Sequence, residues 1–261
     1  MGDIPQSHPR RSSLLARQKL VDAAADGLLA DSAMIAHGRG EAFDYLLGER
    51  TSNSAKNAIH EASARLLAAE HPVISVNGNT VVLAGEDLIR VAAVVGCPIE
   101  VNLYYRTRER VTGLLGRLSE QRASVAAGPA PEDWTGEWDR AVEGVRLLGE
   151  DADGRIEGLE GPRALCCADG IGSADVVLVP LEDGDRCEAL IEMGKQVLVV
   201  DLNPLSRTSR MATVTIVDEV ARSAAALLDE VVSGHAQPDN WDNQAILSEA
   251  LDIIADASAG E

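Results

Sequence analysis

Five clusters in this 261-residue chain combine arginine, acid, glycine and carboxamide side chains in ways that suit phosphate or nucleotide chemistry. Ser7-His8-Pro9-Arg10, with Arg17 beyond it, brings cations to the start of the chain. In Ile35-Ala36-His37-Gly38-Arg39-Gly40-Glu41, two glycines flank Arg39. A backbone without Cβ atoms can approach a ligand closely, and amides at a helix start suit phosphate, although the same string fits a turn with a solvated arginine. Asn77-Gly78-Asn79 lies between apolar runs and reads locally as a hairpin turn, or else as carboxamides beside a ligand. In Asn102-Leu103-Tyr104-Tyr105-Arg106, Arg106 falls just past a strand, with Arg110 one helical turn on. Such a pair can fork a phosphate or simply pair with acids such as Glu109. The richest cluster is Glu182-Asp183-Gly184-Asp185-Arg186-Cys187 after one apolar run and Asp201-Leu202-Asn203 after the next. Acids at a strand's carboxyl end can hold Mg²⁺ or ribose hydroxyls, Gly184 permits close approach, and Arg186 can meet phosphate.

The elements that position these clusters follow from hydrophobic spacing. Short apolar runs at Val73–Val76, Ile99–Leu103, Val145–Leu148, Val176–Val179, Val197–Val200 and Val214–Val217 read as buried strands. Helical windows at Glu86–Val95, Arg106–Arg122, Asp183–Met193 and Asp218–Val232 alternate with them, which is the pattern of βα units and a mainly parallel sheet. An N-terminal helical segment precedes this core: a helix over Ser12–Leu29, a short one over Gly40–Leu47, and a longer one ending at Ala69. The expected division is a helical segment over 1–70 packed on the core, an α/β core over 71–233, and a linker with a final amphipathic helix over 234–261. Ala126–Trp138 and Glu150–Asp169 read as surface loops.

Several chemistries are excluded or weakened. Gly170-Ile171-Gly172-Ser173-Ala174-Asp175 is the nearest approach to a dinucleotide fingerprint, but it precedes a strand where the fingerprint must follow one. No P-loop, G-x-S-x-G or H-E-x-x-H is present, and no residues are assigned as protein metal ligands. Lys195 reads as structural or solvent-facing. The four cysteines, Cys97, Cys166, Cys167 and Cys187, lack C-x-x-C spacing and read as reduced thiols. With 23 basic against 42 acidic residues, a net charge of -19 argues against nonspecific nucleic-acid binding. Only three of the basic residues are lysine, and an acid-rich, lysine-poor surface suits very salty cytoplasm, so a halophilic source is expected. No apolar run is long enough to cross a membrane, and a cytoplasmic location is expected.

The blocks IPQSHPR, MIAHGRGEAFDYLLGERT, EHPVISVNGN, EVNLYYRTRERV, ADVVLVPLEDGDRCEALIEMGK and VDLNPLSRTSRMATVTIVD closely resemble the archaeal phosphopantothenate synthetases, the 4-phosphopantoate:β-alanine ligases. The resemblance runs over about residues 4 to 232. It implies a Rossmann-like homodimer that joins 4-phosphopantoate to β-alanine with Mg²⁺-ATP, releasing AMP and diphosphate, on the route to coenzyme A. By position it implies Arg17 and Arg39 on the ATP phosphates, Glu182 through Cys187 along the nucleotide, and Asp201, Leu202 and Asn203 at the adenosine. His37, Asn77, Asn102 and Arg106 would meet 4-phosphopantoate, Arg106 at its phosphate. Arg39, His37, Asp185 and Arg186 are the catalytic candidates, His37 as a base toward the β-alanine amine. The two loops look longer and more acidic than that family's pattern, and the C-terminal tail departs from it as well. Two other readings fit a Rossmann-like sheet: a non-catalytic nucleotide-binding regulatory module, and a nicotinamide oxidoreductase, which the missing glycine fingerprint disfavours.

Overall fold

In a computed structural model that describes residues 4–234 and 237–257, the apolar runs become strands within a residue or two of the expected places. Strands β1 (Pro72–Val76), β2 (Ile99–Val101) and β3 (Leu147–Leu148) come first. A two-stranded antiparallel ribbon of β4 (Gly154–Arg155) and β5 (Leu165–Cys166) follows, then β6 (Val176–Pro180), β7 (Gln196–Val200) and β8 (Val214–Ile216). Apart from the ribbon they form one six-stranded sheet in the order β3-β2-β1-β6-β7-β8, parallel throughout. Ile74 pairs with Ile99 on one side of β1 and with Leu178 on the other. The order reverses between β1 and β6, and a crevice opens outside their carboxyl ends. This is the doubly wound, Rossmann-like α/β sheet expected.

Both faces are covered, so side chains alternate between two cores. Ile74, Val76, Leu178, Leu198 and Val200 face the larger core, with helices α3 (Asn53–Ala68), α4 (Gly78–Val95), α5 (Arg108–Ala127) and α9 (Val220–Ser233). Val73, Val177, Val179, Val197 and Val199 face the other, under α7 (Gly184–Glu192). The stretch 150–169 is not the surface loop expected. Its sparse apolar residues Ile156, Leu159, Ala164 and Cys166 close over that second face, and too few apolar positions separate the turns for periodicity to show it.

Helix α4 starts eight residues before its expected place, because Asn77 caps it, its Oδ1 accepting from Thr80 N at 3.1 Å. Asn-Gly here is a helix start on a parallel crossover, not a hairpin. Near the chain start, α1 (Arg11–Ala25) is shorter than expected, while α2 (Asp31–Leu46) runs straight through Gly38 and Gly40. Neither the helix start expected near Gly40 nor its alternative, a turn at Arg39, is present. Gly40 lies against Leu202, whose Cδ1 would be in ordinary contact, 3.4 Å, with a Cβ at that position.

Helices α6 (Trp138–Glu143), α8 (Arg207–Met211) and α10 (Asn243–Ala257) complete the α-helices among the described residues. Asn243 accepts from Thr215 N at 2.8 Å and so covers the edge of β8. Of the linker expected at 234–243, residues 235 and 236 lie outside the described residues, as does the chain beyond 257, and Asp239 N is tied to the Glu61 carboxylate on α3 at 3.1 Å. Lys195 is structural: its Nζ donates to the carbonyls of Gly172 and Ala174 at 3.0 and 2.7 Å. All four cysteines are buried and unbridged, and burial pushes the thiols up, Cys166 to about 11 and Cys97, Cys167 and Cys187 to about 12. No described helix is long and apolar enough to cross a membrane.

Candidate active site

The crevice at the reversal point is a cavity of about 1080 Å³ between the carboxyl ends of the strands and helices α1 and α2. Its floor is built where β1 meets β6. Leu181, just past β6, takes a left-handed φ of 61°, which a branched side chain adopts at a cost, and its carbonyl accepts from Asn77 Nδ2 at 3.0 Å. One carboxamide thus caps α4 and ties the two strand ends together.

Of the residues expected in the site, His37, Arg39, Asn77, Asn102, Glu182, Asp183, Arg186, Asp201, Leu202 and Asn203 line this cavity. Arg17, Gly184, Asp185, Cys187 and Arg106 do not. Each of these five has another engagement. Arg17 is held by the Glu41 carboxylate, with Nε to Oε1 at 2.8 Å. The space left by the missing Cβ of Gly184 is filled by the Arg207 side chain, 2.9 Å from where that Cβ would be. Asp185 is taken by Arg163 and Arg207. Cys187 points into the second core. The Arg106 guanidinium donates to the Gly149 carbonyl.

Charge is unevenly neutralised around the cavity. Arg10 pairs with Glu41 and Glu49, Arg163 with Asp183 and Asp185, and Arg222 with Asp44 and Asp218. Arg186 differs. Its side chain is 4% exposed, the one acid within ion-pair distance is Glu182 with Oε2 at 3.5 Å from Nε, the buried Glu100 feels its charge from farther away, and neither Nε nor Nη2 makes a hydrogen bond. A buried guanidinium with unused donors is costly, and an anion entering the cavity would relieve it.

The carboxyl groups across from it show the same unfinished balance. Burial raises the Glu182 carboxyl, with Arg186 pulling the other way, and burial likewise raises Asp201 against hydrogen bonds from Ser206 and Asn203. A cation seated there would hold both ionised. Among the described residues no group of three or more His, Cys, Asp or Glu side chains is placed to hold a metal. Mg²⁺, however, characteristically takes one or two carboxylates and completes its shell with phosphate oxygens and water. Glu182 and Asp201 fit that use.

His37 projects from α2 with its Nε2 buried and unpartnered, and burial lowers its imidazole, so the ring is held neutral. Glu219 caps α9 through Oε2, which accepts from Ala221 N at 2.9 Å, and leaves Oε1 unpaired. Sequence reasoning missed Glu219, Arg163 and Arg222 as cavity residues, and it singled out the segment of Asn79 without assigning that side chain a role. Only Glu219 carried a signal, an acid just before a helical window.

These features define a doubly wound α/β protein with a cleft rich in arginine and acidic side chains at its topological switch point. The chain belongs to the phosphopantothenate/pantothenate synthetase family, whose sequence model matches residues 54–257. It is 46% identical over 229 residues to the 4-phosphopantoate–β-alanine ligase of Thermococcus kodakarensis, covering 88% of this chain and 80% of that one. To the enzyme of the same description from Methanospirillum hungatei it is 48% identical over 222 residues, 85% of this chain and 82% of that one. The corresponding protein of Methanosarcina mazei is 44% identical over 262 residues, 97% and 95% of the two chains.

Proposed function

We propose that this chain is an ATP-dependent ligase that condenses 4-phosphopantoate with β-alanine to 4'-phosphopantothenate, releasing AMP and diphosphate, in coenzyme A biosynthesis. A carboxylate oxygen is a poor leaving group, so the acid must be activated. In this reading the 4-phosphopantoate carboxylate attacks the α-phosphorus of ATP, the bond to the β-phosphate oxygen breaks, and diphosphate departs. The β-alanine amine then attacks the acyl carbon of the adenylate and AMP leaves. Such chemistry asks for positioning and charge neutralisation more than for acid–base groups.

The observation that carries the reading is Arg186, a buried guanidinium with unpaired donors in the lining of the cavity that Glu182 and Asp201 also line. Arg186 and Arg39 receive the phosphates as charge builds on them. Glu182 and Asp201 would hold Mg²⁺ brought in with ATP, which would supply electrostatic stabilisation of the phosphoryl oxygens. Asp201, Leu202 and Asn203 hold the adenosine, and Asp183 steadies the loop as the cap of α7. Arg17 reaches the phosphates only by leaving Glu41, and Gly184, Asp185 and Cys187 support the nucleotide loop from behind. His37, held neutral, accepts the proton that the β-alanine ammonium must shed before it attacks. Asn102 and Asn77 border the 4-phosphopantoate. The working unit in this reading is a cytoplasmic homodimer in a salt-rich cell.

The test is an assay with Mg²⁺-ATP, 4-phosphopantoate and β-alanine in molar KCl, scoring AMP against ADP and omitting each substrate in turn. AMP that appears only with both acids present is the expected result. ADP in its place would replace the adenylate with an acyl phosphate, and no nucleotide turnover at any salt would leave a nucleotide-binding module.

A further inference from the structure

At the end of the cavity formed by β1 and β2, the start of α4 offers donors that no protein group uses. The first N–H groups of a helix have no intrahelical acceptor. The ladder begins with Val81 N on Asn77 O, Asn77 Oδ1 takes the Thr80 N–H, and those of Gly78 and Asn79 are left over. Gly78 is glycine for want of room: a Cβ there would lie 2.7 Å from Leu29 Cδ2, and Arg110 Nη2 comes within 3.9 Å of the same point. A guanidinium therefore stands beside the helix start. One of its nitrogens donates to the Tyr105 carbonyl, its Nε is buried and unpaired, and no described carboxylate pairs with it. In a chain of net charge -19, an arginine left without an acid over a helix N-terminus is a site for an anion.

A second observation concerns unpartnered side-chain acceptors, one in the first turn of α4 and one outside the helix, past the end of β2. Asn79, 7% exposed, lines this end of the cavity with its Nδ2 spent on the Ala33 carbonyl at 3.1 Å and its Oδ1 without a partner. Asn102, 6% exposed, repeats the arrangement, its Nδ2 on Ser75 Oγ at 3.1 Å and its Oδ1 free. Two buried acceptors beside anion-binding donors suit a molecule that carries a hydroxyl a few bonds from a phosphate.

We infer that this corner seats the phosphate ester of 4-phosphopantoate, on the Gly78 and Asn79 amides and the Arg110 guanidinium, while its hydroxyl donates to Asn79 or Asn102 and its carboxylate is directed toward Arg186. Naming that ligand rests on the ligase reading; the phosphate seat itself does not. Arg110, not Arg106, is then the phosphate partner.

The test uses Arg110→Gln and Asn79→Asp, with Arg110→Lys keeping the charge without the fork and Arg108→Gln, on the exposed side of the same helix, as a control for long-range charge. At saturating ATP and β-alanine, the KM for 4-phosphopantoate rises about 10- to 100-fold in Arg110→Gln, the loss expected for a forked charge-assisted contact. It rises at least as far in Asn79→Asp and less in Arg110→Lys, and stays near wild type in Arg108→Gln. Discrimination against unphosphorylated pantoate shrinks with it. A rise confined to the KM for ATP, or an Arg106→Gln that takes the loss while Arg110→Gln does not, overturns the assignment. A second readout does not depend on turnover. With the nucleotide end filled by a non-hydrolysable ATP analogue, inorganic phosphate raises the melting temperature of the wild type and not of Arg110→Gln. Equal shifts in both overturn the seat. Wild-type protein that makes no product while still showing this difference would overturn the ligase reading and uphold the seat.

Discussion

Replacing Arg186 by methionine separates its catalytic role from its structural one. The side chain is 4% exposed, its nearest acid lies at 3.5 Å, and two of its nitrogens have no hydrogen-bond partner. Each buried donor left unpaired costs roughly 1–3 kcal/mol, so a guanidinium in this state adds little to the fold. Methionine fills much of the same volume without charge. The Glu182 carboxyl, already raised by burial, rises further without its cation and takes up a proton, which limits the penalty of leaving it alone. The stability change should therefore stay within about 2 kcal/mol, a few degrees of melting temperature for a chain of this size. Turnover is another matter. Losing a preorganised donor aimed at developing phosphoryl charge costs about 10²- to 10³-fold in kcat, roughly 2.7–4 kcal/mol. The assay is 4-phosphopantoate-dependent exchange of labelled diphosphate into ATP, which isolates the activation step, run beside thermal melts of both proteins. Exchange within fivefold of wild type would remove Arg186 from the chemistry, and a melting point lowered by more than about 10 °C would make it a pillar of the fold.

Three other perturbations follow from the same geometry. Arg222→Ala strips the shared cation from Asp44 and Asp218, whose side chains are 6% and 1% exposed, and should cost about 3–5 kcal/mol, or roughly 10 °C in a melt; a shift under about 2 °C would refute the network's importance. Burial holds the His37 imidazole below its ordinary value, so as pH falls through about 6.5 the unfolded chain takes up a proton that the folded chain does not, and stability declines until the folded-state value is passed. Product formation should fall only as pH drops through that lower folded-state value and the neutral ring is lost, while diphosphate exchange does not, and an unchanged acid limb in His37→Gln would rule it out as the base. Finally, with 42 acidic residues against 23 basic ones, the melting temperature should rise steeply between low and molar KCl, where the Debye length shrinks to roughly 3 Å; equal stability in both would sink the salt-adapted reading.

The strands were legible because a parallel sheet is covered on both faces, so segments such as Val197–Val200 must be apolar at every position and stand out as unbroken runs. Local rules misled where a distant contact decided the outcome. Gly38 and Gly40 read as a turn, yet α2 passes through both, with Leu202 filling the space beside Gly40. Gly184 read as room for a ligand, and Arg207 occupies it. Asn77-Gly78 read as a hairpin, whereas a strand in a parallel sheet must be followed by a crossover, and the same Asn-Gly pair caps the helix that begins it.

Arginine roles were the hardest to read, and the reason is combinatorial. Every arginine here is a cation with five donors, and acids outnumber bases, so the sequence offers each of them many carboxylate partners. What distinguishes Arg186 and Arg110 from Arg163 and Arg222 is only which side chains the fold sets opposite them. Arg163 meets Asp183 and Asp185, and Arg222 meets Asp44 and Asp218, so their charge is spent within the protein. Arg186 has Glu182 at 3.5 Å and the buried Glu100 farther off, with no hydrogen bond to either from Nε or Nη2, and among the described residues Arg110 meets no acid. In so acidic a chain a cavity arginine without a matched carboxylate needs a reason, and a substrate carrying phosphate at one end and acquiring it at the other supplies one for each.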